Sequence, residues 1–132
     1  MNSILKQFIK HLMVGNNEVV LLDMEAGVEH FGRGVDNSVD LILMIVDPSF
    51  ESLKLTKKIQ QLGESIGKTV FFVLNKVNGQ ILPTMLESID DQSKVLAVIS
   101  EDTEIARKGL LGNELMMEIP EIHMLARKIL KQ

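Results

Sequence analysis

The sequence predicts an α/β fold in three layers, a mostly parallel sheet of about four strands with helices on both faces. Two observations predict it: four short, uninterrupted apolar runs, and segments of helical periodicity that follow or separate them. A continuous apolar run is the signature of a strand covered on both faces, and strands separated by helices pair in parallel through right-handed crossovers. Ligands of such sheets sit beyond the carboxyl ends of the strands, so the residues that follow each run are the candidates for chemistry.

The first segment places Ile4, Leu5, Phe8, Ile9 and Leu12 on one face of an amphipathic helix. After the polar turn Gly15-Asn16-Asn17, residues 19–22 read as the first strand, ending at Asp23. Residues 41–46 form a longer run and read as a central strand; Asp47-Pro48 stops it, since proline lacks the donor a ladder needs and suits a helix start. From residue 49 to 66, Leu55, Ile59, Leu62 and Ile66 recur at helical spacing with Lys54, Lys57, Lys58 and Gln61 on the other side, and Gly67 ends that helix. Residues 70–74 and 95–99 read as two further strands, with a short helix at 81–89 between them. A last helix at 120–131 aligns Ile122, Leu125, Ala126, Ile129 and Leu130 and ends in a cationic turn that suits the helix dipole. No repeat, linker or low-complexity segment divides residues 1–132, which read as one domain.

A chain of 132 residues with 45% hydrophobic content supports one core that buries roughly two thirds of the unfolded surface. The net charge is −4 and the cations are dispersed without interleaved aromatics, which argues against nucleic acid. The absence of cysteine excludes disulfides and thiolate metal sites. No apolar stretch approaches the roughly 18 to 20 residues that span a bilayer. A soluble, cytoplasmic protein without nucleic acid or membrane partners is the expectation.

Three polar clusters fall at predicted strand ends: Asp23 to Gly34, Asn75-Lys76-Val77-Asn78, and Ser100-Glu101-Asp102. Asp23 followed by Glu25-Ala26-Gly27 has the layout of a carboxylate that holds a magnesium-bound water, with a glycine whose N–H approaches a terminal phosphate. The same residues also suit an ordinary turn in which Asp23 caps a helix. Asp23, Glu25, Glu29 and His30 match no compact metal motif and read as solvated loop residues. Asn75 offers a donor and an acceptor in one plane to a purine edge, or simply occupies a turn. Asp102 either contributes to that site or begins a helix.

Gly63-Glu64-Ser65-Ile66-Gly67-Lys68-Thr69 approaches the phosphate-loop pattern G-x-x-x-x-G-K-[ST], but only three residues separate its glycines. It also runs from a helix into a strand, whereas a phosphate loop runs from a strand into a helix whose N-terminus faces the anion. It reads as a decoy, so no residue group in this sequence cradles a triphosphate.

Taken together, Asp23-Met24-Glu25-Ala26-Gly27-Val28-Glu29-His30-Phe31-Gly32-Arg33-Gly34, Asp47-Pro48-Ser49, Asn75-Lys76-Val77, and Ile99-Ser100-Glu101-Asp102 with Gly112 following carry a family resemblance. From about Ile4 to Leu130 the chain resembles the C-terminal half of the carbon monoxide dehydrogenase maturation ATPases, nickel-insertion accessory proteins related to the Min and Par type ATPases. The resemblance implies a partial P-loop NTPase-like domain. In it, Asp23 and Gly27 belong to a switch that reads magnesium and the γ-phosphate, Asn75 contacts the base, and Lys76 and Asp102 are further nucleotide-binding candidates. The family's N-terminal deviant phosphate loop and its Cys-x-Cys pair have no counterpart here, and Ser100 stands where relatives usually carry proline. The resulting expectation is a non-hydrolytic binding or regulatory module without autonomous ATP binding and without a cofactor of its own. The alternative is one half of a split ATPase acting in nickel metallocentre assembly, with ATP and magnesium bound once a separate chain supplies the phosphate loop. Unpaired strand edges further imply association, as a homodimer or with a chain that bears the phosphate loop.

Overall fold

The computed structural model describes residues 7, 8, 11, 12, 14–16, 18–24 and 38–131. Three strands, β1 (Ile42–Val46), β2 (Val70–Val77) and β3 (Val95–Ser100), form one parallel sheet in the order β1-β2-β3. Helix α1 (Phe50–Ser65) follows β1, α2 (Leu82–Glu87) follows β2, and α3 (Thr103–Leu111) and α4 (Pro120–Ile129) follow β3. The α/β class is as the sequence predicts.

The sheet alternates between two cores because successive strand residues point to opposite faces. On one face Val70, Phe72, Leu74 and Val77 of β2 pack with Val46, with Ile59 of α1 and with Met85 of α2. On the other, Phe71 and Val73 pack with Leu96 of β3 and Leu125 of α4. Lys128 of α4 adds a tether, donating from Nζ to the Leu96 carbonyl. The buried hydroxyl of Thr56 lies 2.7 Å from both the Leu53 and Ser88 carbonyls, which links α1 to the end of α2.

Two expectations change. The run at 41–46 is an edge strand of the described sheet, and β2 is the middle strand, with Phe72, Val73 and Leu74 fully buried. Residues 19–22 join no ladder among the described residues, and Leu21 is 83% exposed, so the sheet has three strands rather than about four. An apolar run becomes a strand only when its N–H and C=O groups pair with a neighbouring strand, and residues 19–22 pair with neither edge of the described sheet. Of the first expected helix, residues 7, 8 and 11 are helical, with His11 Nδ1 2.7 Å from the Gln7 carbonyl. Leu12 is described and is not helical, and the other apolar positions, Ile4, Leu5 and Ile9, lie outside the described residues.

Helix α1 starts and stops by local chemistry. Ser49 Oγ accepts from the Ser52 N–H at 3.2 Å, an N-cap that satisfies one free donor of the first turn. At the other end Gly67 takes φ +68°, Lys68 N–H donates to the Gly63 carbonyl at 2.9 Å, and Gly67 N–H donates to the Glu64 carbonyl at 3.1 Å. That pair of bonds is a Schellman stop, which needs a left-handed residue after the helix. The glycines of the Gly63 to Thr69 decoy therefore serve helix termination and close packing, in a segment that runs from helix to strand.

Candidate functional site

The carboxyl edge of the sheet assembles a cluster from two neighbouring strands. Val46 of β1 pairs with Leu74 of β2, so Asp47 lies one step further along, beside Asn75. Asn75 Nδ2 donates to Asp47 Oδ1 at 2.9 Å, and Lys76 Nζ donates to Asp47 Oδ2 at 2.6 Å. Adjacent residues of a regular strand point to opposite faces and do not share a partner. Here they do, because the β2–β3 register slips between Leu74 and Val77 and Lys76 adopts φ 56°. A left-handed lysine is an uncommon conformation, and such strain persists only where the surroundings hold it. Strand β2 runs on to Val77, so Asn75 and Lys76 lie in its irregular last residues and not in a loop after it.

Partial burial pushes the Asp47 carboxyl up, but the hydrogen bonds from Lys76 and Asn75 and the Lys76 charge outweigh it and hold the group below the usual carboxylate range. A carboxyl depressed in the folded state contributes stability that is complete above its unfolded pKa and is lost as pH falls through the folded one. Urea unfolding of the wild type and of Asp47→Ala is therefore expected to differ at neutral pH and to converge below about pH 4. With the Lys76 and Asp47 side chains 60% and 41% exposed, the difference should stay within about 1 kcal/mol. A gap that persists in acid would assign the effect to packing instead.

The third predicted cluster has a different local job. Asp102 Oδ1 accepts from the Glu104 N–H at 2.7 Å and the Ile105 N–H at 3.0 Å, capping α3, while Glu101 N–H donates to the Val77 carbonyl at 2.9 Å and fixes this segment beside β2. Asp102→Ala is expected to cost about 1 kcal/mol, measured as a shift of the thermal unfolding midpoint. Asn78 Oδ1 accepts from the Gln80 and Ile81 N–H groups at 3.1 Å each and shapes the turn into α2.

Asp23 is exposed, on the irregular stretch after residue 22. Gly27, Glu25, Glu29 and His30 lie outside the described residues. Of the predicted site residues, the structure thus brings Asn75 and Lys76 together. It adds Asp47, which the sequence marks as a strand stop and as part of the family resemblance. The usable signal was an aspartate at the carboxyl end of one parallel strand with Asn-Lys at the end of another. Among the described residues no group of three or more His, Asp or Glu side chains is placed to hold a metal ion. No helix among them is long and apolar enough to cross a membrane.

No family model matches the chain. Over 92% of its length it is 46% identical to an uncharacterized ATP-binding protein of Methanocaldococcus jannaschii, covering 49% of that protein. It is 32% identical, over 87% of its length, to a second uncharacterized ATP-binding protein of the same organism, covering 46% of it. It is also 32% identical, over 84% of its length, to the carbon monoxide dehydrogenase accessory protein of Rhodospirillum rubrum, covering 43% of it. The chain thus spans about half the length of the curated relatives it matches.

Proposed function

We propose that this chain, related in sequence to ATP-binding proteins and to a carbon monoxide dehydrogenase accessory protein, is the base-side and switch-bearing part of an ATPase-type site. By itself it acts as a non-hydrolytic binding module. The observation that carries the reading is the Asp47–Asn75–Lys76 cluster, preassembled at the sheet edge where α/β folds take their ligands. The nearest approach to a phosphate loop in this sequence, Gly63 to Thr69, already has a structural use, so the base side stands here without a phosphate side.

In this reading Asn75 meets the base edge and Lys76 lies beside it. Asp102 steadies the neighbouring segment from its cap on α3. Asp23 holds a magnesium-bound water, and Gly27 approaches the terminal phosphate, only when another stretch of polypeptide brings the nucleotide's phosphates into place. Calorimetric titration of the chain with ATP and ADP, with and without magnesium, is expected to give no binding at micromolar concentrations. A clear magnesium-dependent response with turnover, abolished by Asp23→Ala, would overturn the proposal.

A second reading is a split ATPase, in which a separate chain supplies the phosphate loop and this one completes a composite site in metallocentre assembly. The left-handed Lys76 favours it, since strain kept at a sheet edge is characteristic of sites that still bind. Co-purification with a chain that bears a phosphate loop would favour it over the first. Association of either kind, with such a chain or with a second copy, belongs to this proposal.

A further inference from the structure

We infer that β1 is a self-pairing edge, along which two copies of this chain join their sheets by antiparallel, two-fold pairing of β1 with β1. This gives the proposed association a surface, and it does not rest on the nucleotide reading. In a parallel ladder the N–H and C=O groups of one residue point to the same side of the strand, and those of the next residue to the other. Ile42 N–H donates to the Thr69 carbonyl at 3.3 Å, so Ile42, Met44 and Val46 turn their backbone groups toward β2. Leu43 and Ile45 turn theirs away from β2, to a side where no strand lies among the described residues. The open edge stops at Asp47, whose N–H donates to Ser52 Oγ at 3.1 Å and whose carbonyl accepts from the Ser49 N–H at 2.8 Å.

Nothing along this edge resists pairing. Residues 41–46 are apolar throughout, and the β1–β2 register has no bulge, so the charges, prolines and bulges that natural edges use against association are all missing. Ile45 is 51% exposed, although Leu43 on the same face packs against the core that Leu125 of α4 covers. A second copy supplies the complement. Its own outward residues recur at every second position, so an antiparallel arrangement sets outward residues opposite outward residues, and each such pair exchanges both backbone bonds. The Leu43 and Ile45 side chains then meet those of the second copy across the joint and cover the exposed isoleucine. A two-fold contact uses the same surface on both partners and closes at two copies.

Two measurements on the full chain test this. Sedimentation equilibrium should show a monomer–dimer equilibrium. Ile45→Lys, checked for folding by circular dichroism, should weaken the dimer by about tenfold or more, because a lysine on an open edge opposes pairing. Leu110→Lys, at a position 87% exposed on α3, should leave the equilibrium unchanged. Amide hydrogen exchange gives a readout that needs no variant. On concentrating the wild type, the Leu43 and Ile45 amides should gain protection, whereas those of Ile42, Met44 and Val46, bonded to β2, should be protected throughout. A monomer at every concentration, a dimer indifferent to Ile45→Lys, or dimerisation without new protection at Leu43 and Ile45 would overturn the inference. Each of these results leaves the nucleotide reading standing, since the ATP titrations decide that one.

Discussion

Phe72→Ala is expected to remove about 3 to 5 kcal/mol of stability, the usual cost of emptying a fully buried aromatic position. Phe72 has no exposed surface, lies in the middle strand, and packs in one core with Val46, Ile59, Leu74 and Met85. The surroundings belong to β1, α1 and α2 as well as to β2 itself, so the cavity cannot close by moving one side chain. Single domains carry only about 5 to 15 kcal/mol in all, so this one substitution should remove a large share of the total. Urea unfolding followed by far-ultraviolet circular dichroism measures it. A loss under about 1 kcal/mol, the scale of ordinary surface changes, would mean that this face of the sheet is not packed as described.

Gly63→Ala is the second large effect, and it arises from a residue with no side chain. A Cβ at Gly63 would lie 2.4 Å from Val70 Cγ2 and 2.9 Å from the Lys68 carbonyl oxygen. The valine is fixed at the start of β2, and the carbonyl belongs to the residue whose own N–H closes the helix stop on Gly63. Neither can give way without disturbing the α1–β2 connection. Overpacking of this kind costs about 1 to 3 kcal/mol, although alanine alone would favour the helix. An alanine variant as stable as the wild type, by the same urea measurement, would remove close packing as the reason for glycine here.

The strands and helices that make the described sheet were legible because each carries its own local signal. The runs at 41–46, 70–74 and 95–99 overlap β1, β2 and β3, and Ser49, Asp102 and Pro120 sit where α1, α3 and α4 begin. Residues 19–22 show what such signals omit: apolar composition encodes a tendency to be buried, while a strand also needs its N–H and C=O groups paired with a neighbour, which composition does not specify. The candidate site was legible only in part for a related reason. Asn75 is read from the end of its own strand, but its partnership with Asp47 joins residues 28 apart in the sequence and depends on strand register. It depends further on the left-handed turn at Lys76, a conformation that a lysine does not announce. Asp102 was readable as a site residue or as a helix start, and its hydrogen bonds place it at the cap of α3.

The proposed function makes this chain the base side of an ATP site whose phosphates are held by another stretch of polypeptide. It is tested most directly by equilibrium binding of magnesium-ATP to the chain alone, to the unmatched half of the Methanocaldococcus jannaschii relative alone, and to their mixture. The account predicts binding in the mixture only, lost again with Asn75→Ala. Tight binding by the chain alone, or a mixture indifferent to Asn75, would contradict it.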